Sequence, residues 1–79
     1  MLIRIQYFSL LRDLKGPETI EISEGSTAAD LLRSLFQQVP GLEAWNKCLL
    51  VAAGIQWVPQ DYVLQPDDVV SLMPPVQGG

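Results

Sequence analysis

The C-terminal segment MPPVQGG contains the group whose chemistry is easiest to define. Gly78 and Gly79 have no side chains, so no Cβ shields the terminal carboxyl carbon, and this end of the chain can enter a narrow tunnel. A carboxylate presented in this way can be activated by adenylation and then attacked by a sulfur or amine nucleophile. Pro74 and Pro75 cannot donate hydrogen bonds to a sheet, and their fixed φ angles direct the chain outward. We therefore interpret residues 74–79 as an extended reactive tail.

Few other residues are candidates for chemistry. The chain has no His, which excludes imidazole bases, Ser-His or Cys-His dyads and ordinary His-ligated metal sites. Cys48 is the single cysteine, and because no base is available to lower its pKa we expect a small buried hydrophobic residue. Asp67 and Asp68 are expected to set a turn rather than to act as an acid pair. Trp45 and Trp57 fit core or edge packing.

Composition and charge exclude several classes of function. The chain has 79 residues, of which 48% are hydrophobic and 18% charged, as is typical of one small globular domain. Its net charge of -4 disfavours nucleic acid and anionic membranes as partners. No Gly-rich phosphate loop is present, so we expect this chain to bind no cofactor and a partner to bind any ATP. With no signal peptide and no apolar run of ~20 residues, a cytoplasmic location is expected.

Short strands and one helix are predicted to position the tail. Residues 2–8 and 18–23 alternate in polarity as half-buried strands do, and we predict that they pair antiparallel. Between them, Ser9 is expected to cap a short helical turn that ends at Gly16. Three further stretches are predicted to be strands: residues 48–54, 55–58 and 69–73.

The clearest helix lies within residues 24–41. Thr27 and Asp30 have the spacing of a capping box, and Pro40 with Gly41 is expected to close the helix. Apolar residues follow at helical spacing and form one stripe: Ala28, Leu31, Leu32, Leu35, Phe36 and Val39. A helix with a single apolar stripe buries that stripe against one face of a sheet. The predicted fold is therefore an α+β domain over residues 1–73, with this main helix packed on a mixed four- or five-stranded sheet.

The register of the last strand divides side chains between the two faces of the sheet. The residues expected to be buried are Ile3, Ile5, Ile20, Ile22, Leu31, Leu35, Val70 and Leu72. Those expected on the opposite face are Arg4, Gln6, Ser71 and Met73. Phe8 should lie where that face meets the tail, and aromatic and Met side chains are enriched at interface cores. We therefore predict a partner-binding patch made of Phe8, Met73, Pro74, Pro75, Val76 and Gln77.

Three stretches resemble the ubiquitin-like sulfur carriers of the β-grasp fold, and among them the small subunits of molybdopterin synthase. They are YFSLLRDLKG, STAADLLRSL and, most specifically, DDVVSLMPPVQGG. The resemblance extends over essentially the whole chain and implies a β-grasp fold. Gly54 and Pro66 depart from the family pattern, which often has Asn and Gly there, but both are turn positions that leave the reactive end unchanged.

The resemblance implies a function in molybdenum cofactor biosynthesis. The chain would be no enzyme by itself but the sulfur-donating small subunit of a heteromeric sulfurtransferase. A ubiquitin-activating-like enzyme would use ATP to adenylate Gly79, which would then become a thiocarboxylate. The tail, with Gly78 giving access, would insert into the molybdopterin synthase large subunit in a heterotetramer and donate sulfur to a pyranopterin precursor. In this scheme the sulfur is carried on Gly79 and not on Cys48.

Three other functions stay open from the residues alone. Sulfur carriers for thiamine or cysteine biosynthesis share the fold and the Gly-Gly end, but less often the Pro-Pro-Val approach to it. A ubiquitin-like protein modifier would form isopeptide bonds between Gly79 and lysines of other proteins. A plain β-grasp interaction module would have an inert tail and would work without Gly79.

Overall fold

A computed structural model describes residues 1–75, which form a five-stranded mixed sheet with a helix packed on one face. The strands are β1 (Leu2–Tyr7), β2 (Thr19–Glu21), β3 (Leu50–Ala53), β4 (Gln56–Trp57) and β5 (Val69–Met73). The helices are a 3₁₀ helix (Ser9–Leu14), α1 (Ala28–Gln38) and α2 (Pro40–Glu43). This arrangement confirms the predicted α+β fold. The tail residues Val76, Gln77, Gly78 and Gly79 lie outside the described residues.

The strand order across the sheet is β2-β1-β5-β3-β4. β1 pairs antiparallel with β2, as predicted, and β5 lies between β1 and β3. β5 runs parallel to β1, with Ile5 opposite Val70 and Tyr7 opposite Leu72. Because parallel strands point the same way, β1 and β5 end at the same edge of the sheet. At that edge the backbone N–H of Phe8 donates to the carbonyl oxygen of Leu72 at 3.0 Å.

The predicted register of β5 is confirmed. Val70 and Leu72 are fully buried, and a slip of one residue would have turned both toward solvent. Ile22 is only half-buried, whereas the other predicted core positions are buried as expected: Ile3, Ile5, Ile20, Leu31 and Leu35. The apolar stripe of α1 thus packs on the sheet face that the alternating polarity of the strands predicted to be buried.

A capping box begins α1. The side-chain oxygen of Thr27 accepts from the Asp30 backbone N–H at 3.2 Å, and the Asp30 carboxylate accepts from the Thr27 backbone N–H at 2.9 Å. These hydrogen bonds, the one from the Thr27 backbone first, hold the pKa of Asp30 below its ordinary value of 3.8. The stabilisation from the charged carboxylate is therefore present above pH 3.8 and is lost as the pH falls through the lower folded-state pKa.

Two helix boundaries differ from the prediction. α1 ends at Gln38, just before Pro40, as predicted, but Pro40 also begins α2, because proline is favourable at the first helical position, where its missing N–H is not needed. Ser9 is not the cap of the 3₁₀ helix. Phe8 occupies the cap position without a side-chain cap hydrogen bond, and the helix ends at Leu14, before Gly16. Within residues 1–75, no helix has the length and apolar character needed to cross a membrane.

We predict that Thr27→Ala lowers the free energy of unfolding by about 1 kcal/mol, because it removes the side-chain acceptor of the capping box. Ser26→Ala is the matched control, since in the described structure Ser26 makes its hydrogen bonds through its backbone. Urea denaturation at neutral pH measures both variants. Equal losses in the two variants would contradict a specific role for the cap.

Candidate functional site

The tail leaves the sheet at the edge where β1 and β5 both end. β5 ends at Met73, and Pro74 and Pro75 follow directly. Neither proline can donate to a neighbouring strand, so the ladder stops at this point. Both prolines are half-buried and therefore still in contact with the domain.

A groove of about 360 Å³ lies beside the two prolines, and we call it the tail groove. Its lining residues are Phe8, Ser9, Leu10, Trp45, Met73, Pro74 and Pro75. All of these side chains except that of Ser9 are apolar. An apolar groove at the root of an arm suits contact with another protein, because aromatic and Met side chains are favoured at interface cores.

The structure brings together the predicted partner-binding residues that it describes. Phe8, Met73, Pro74 and Pro75 line the same groove, and the other four predicted site residues are the tail residues beyond the described range. Phe8 is 43% exposed, whereas Met73 is half-buried. Ser71, which was predicted on the same face of the sheet as Met73, does not line this groove. Ser71 is buried on the outer face of the sheet, and its hydroxyl donates to Gln6 Oε1 at 3.3 Å.

Two apolar residues of the tail groove were not assigned to the site from the sequence. Leu10 is 62% exposed, while its neighbour Leu11 is fully buried. Adjacent residues on a 3₁₀ helix lie a third of a turn apart, so one of two consecutive leucines had to face outward. Trp45 is half-buried against the core and lines the groove, which makes core packing only part of its role. Trp57, by contrast, lies exposed on the edge strand β4.

A close contact between Tyr7 and Gly16 holds the segment that carries Leu10. The Tyr7 hydroxyl donates to the Pro17 carbonyl oxygen at 2.7 Å, and burial raises the pKa of Tyr7 to about 12. The phenol therefore stays protonated, and able to donate, at neutral pH. A Cβ added at Gly16 would lie 2.5 Å from the Tyr7 hydroxyl oxygen, so the contact requires glycine.

Cys48 is exposed, and the prediction that it is buried was wrong. β3 begins only at Leu50, so Cys48 precedes the strand and has no place in its buried face. Its Sγ donates to the Trp45 carbonyl oxygen at 3.4 Å. Because the Cys48 thiol is exposed, burial is no argument against its reactivity. The remaining argument is that the sequence contains no histidine that could act as a base for this thiol.

The acidic pair before β5 is confirmed as a turn. Asp67 has a positive φ of 71°, and the Asp68 carboxylate accepts from the Gln65 backbone N–H at 2.9 Å and from the Tyr62 hydroxyl at 3.0 Å. Over residues 1–75, no three His, Cys, Asp or Glu side chains are grouped so that they could hold a metal ion.

Comparison with known proteins gives one family and several relatives. The sequence matches the ThiS family over residues 5–79. It is 32% identical over 83 aligned positions to the molybdopterin synthase sulfur carrier subunit of Chlamydomonas reinhardtii, and the alignment covers the full length of both chains. Both matches are therefore to the whole domain rather than to a single motif.

Solved structures show the same fold. SAMP1 from Haloferax volcanii has a TM-score of 0.85 at 21% identity, with full coverage of both chains. A chain of the protein–protein complex of subunits 1 and 2 of molybdopterin-converting factor from Helicobacter pylori has a TM-score of 0.68 at 26% identity, again with full coverage. The fold is the ubiquitin-like β-grasp that the sequence predicted.

We predict that Gly16→Ala lowers the free energy of unfolding by about 1 to 3 kcal/mol, because the added methyl group overpacks the contact with Tyr7. Gly41→Ala is the matched control. Its Cβ would meet only the end of the flexible Leu14 side chain, at 2.9 Å, and should have a smaller effect. Thermal melts measure both, and amide shifts at Leu10 report whether the groove moves. An unchanged melt for Gly16→Ala would contradict the close packing.

Proposed function

The chain belongs to the ThiS family, and from this premise we propose that it is the sulfur carrier of a molybdopterin synthase, with Gly79 as its reactive residue. The observation that carries the proposal is the extent of the family match, which runs to residue 79 and so includes the terminal Gly-Gly. The full-length likeness to a molybdopterin synthase sulfur carrier subunit supports the specific pathway.

The proposed chemistry takes place on the terminal carboxylate. A partner enzyme binds ATP, and the Gly79 carboxylate attacks the α-phosphate, forming an acyl-adenylate and releasing pyrophosphate. A sulfur nucleophile, formally hydrosulfide, then displaces AMP and leaves a thiocarboxylate. Within the synthase, this sulfur attacks a carbon of the pyranopterin precursor and displaces an oxygen substituent, which leaves with the carbon–oxygen bonding pair and takes up a proton. Water cleaves the acyl–sulfur bond and regenerates the carboxylate.

The residues of the chain supply position rather than chemical catalysis in this scheme. β5 is hydrogen-bonded on both sides, so the root of the tail is fixed relative to the domain. The tail groove lies next to that root. It gives a partner an apolar surface to bind while the tail enters the partner's active site. Docking at the tail groove orients the terminal carboxylate in the partner's active site. Correct orientation of the reacting groups contributes much of the rate acceleration in such transfers.

Two partners follow from the proposal, and they would use the same surface in turn. One is the adenylating, ubiquitin-activating-like enzyme, and the other is the large subunit of molybdopterin synthase. The complex of subunits 1 and 2 of molybdopterin-converting factor contains a chain similar to this one over its full length, which supports the second partner. The proposed synthase is a heterotetramer.

Substitutions in the tail test the proposed reactive group. We predict that Gly79→Ala and Gly78→Ala melt as the wild-type chain does, because a chain end has little packing to lose. Both should slow thiocarboxylate formation and sulfur donation by up to ~100-fold, since an added methyl group misplaces the reacting atoms by about 1 Å. Intact-mass analysis with the activating enzyme, ATP and a sulfur source measures the first step.

The outcomes of this experiment separate the alternatives. Wild-type rates in both alanine variants would contradict passage of the tail into a narrow active site. A wild-type thiocarboxylate that forms but is not consumed by the large subunit would assign the chain to another sulfur pathway. A ladder of higher-mass conjugates in cells would indicate a protein modifier instead.

Substitutions in the tail groove test its role in docking. We predict that Phe8→Asp and Met73→Asp weaken the complex with the large subunit or the activating enzyme by at least about tenfold while the domain stays folded. Ile55→Asp is the matched control, because Ile55 is a fully exposed apolar residue that does not line the tail groove. Isothermal titration calorimetry measures each affinity. Equal affinities for all three variants would remove the tail groove from the interface.

A further inference from the structure

A second, larger groove lies on the outer face of β1 and extends onto the loop that leads to β2. We call it the basic groove; its volume is about 740 Å³. Arg4, Arg12 and Lys15 line it, and Glu18 is the one acidic residue among the lining residues. The whole chain has only five Lys and Arg residues and a net charge of -4. The sign of the charge in this groove is therefore opposite to that of the molecule.

The three cations of the basic groove have no anionic partner in the part of the chain that the structure describes. The ion pairs found within residues 1–75 join the Met1 amino group to Glu21 and Arg33 to Asp30. Arg4, Arg12 and Lys15 are all exposed. Unpaired like charges in a shared concavity raise the local positive potential, which attracts an anionic group.

The basic groove adjoins the tail groove. Phe8 lines both, on the segment that joins β1 to the 3₁₀ helix. Tyr7 and Gly16, whose contact fixes that segment, also line the basic groove. A partner that covers the tail groove thus reaches the border of the basic groove at Phe8.

We propose that the basic groove binds an acidic segment of the protein that receives the tail. This inference rests on the proposed function and adds the chemistry of the partner surface to it. An extended acidic segment fits the distribution of charge, because Arg4 lies on β1 whereas Arg12 and Lys15 lie on the following segment. The cations steer the partner toward the tail edge and away from the acidic remainder of the surface, which repels it.

A small free anion fits the groove less well. The three cationic side chains are solvent-exposed and belong to an open groove, and single contacts between exposed charges contribute little. A polypeptide with several carboxylates adds such contacts together, and the adjoining apolar groove supplies the remaining affinity. The contribution of the basic groove should therefore appear mainly in the association rate and in its dependence on salt.

Charge reversals at matched positions test the proposal. Arg4→Glu and Lys15→Glu change the charge inside the groove, and Arg33→Glu makes the same change in net charge on α1, which packs on the opposite face of the sheet. Association rates with the large subunit and with the activating enzyme are measured by stopped flow from low to high salt, with thermal melts as the check on folding. At low salt we expect the two groove variants to associate roughly tenfold more slowly than Arg33→Glu, with a flatter salt dependence.

Equal rates and salt dependences for the three variants would overturn the proposal, as would wild-type association that does not respond to salt. Saturable amide shifts at Arg4 and Lys15 with inorganic phosphate at constant ionic strength, together with unchanged association rates, would assign the groove to a free anion instead. Thiocarboxylate formation by the wild-type chain is measured in parallel. If the wild-type chain forms no thiocarboxylate, the proposed function is contradicted. If the thiocarboxylate forms but the three variants associate at equal rates, only the proposed role of the basic groove is contradicted.

Discussion

The parallel pairing of β1 with β5 is the interaction on which the rest of the structure depends. It joins Ile5 to Val70 across most of the length of the chain, and it places β5 between β1 and β3. Val70 and Leu72 are fully buried on this strand. Without this pair, the β1-β2 ribbon and the β3-β4 hairpin would share no sheet. The strand from which the tail leaves is thus also the strand that holds the two halves of the domain together.

The same pairing creates the candidate functional surface. Because β1 and β5 end at one edge, the residues that follow them must meet there: Phe8 and Leu10 on one side, Pro74 and Pro75 on the other. The hydrogen bond from Phe8 to Leu72 extends the ladder to the edge itself. One apolar groove and one basic groove then adjoin at Phe8. In the proposed function, β5 fixes the root of the tail, and the two grooves beside it hold the partner that receives the terminus.

Local patterns in the sequence predicted the elements well. Alternation of polarity predicted β1 and β2, and the spacing of Thr27 and Asp30 predicted the start of α1, because each pattern depends on residues close together in the chain. Pro40 was predicted only to end the main helix, although proline is also favourable at the first position of a helix, and here it begins α2. Cys48 was expected to be buried at the start of the apolar strand predicted over residues 48–54, but β3 begins only at Leu50.

The grooves could be predicted only in part, because they depend on which strands are neighbours. Phe8 and Met73 were assigned to one patch from strand parity and from their place next to the tail. Leu10 and Trp45 reach that patch from a 3₁₀ helix and from the segment after α2, and no short-range pattern indicates this. The basic groove likewise joins Arg4 to Arg12 and Lys15 through a turn whose geometry depends on the contact between Tyr7 and Gly16.

The central claim is that the sulfur is carried at the terminus and not on the exposed thiol of Cys48. Tandem mass spectrometry of the chain after reaction with the activating enzyme, ATP and a sulfur source locates the added sulfur directly. The account predicts that it lies on the C-terminal fragment, in place of one oxygen of Gly79, and that Cys48→Ser is sulfurated as the wild-type chain is. Sulfur found as a persulfide on the fragment that contains Cys48, with an unmodified terminus, would contradict the account.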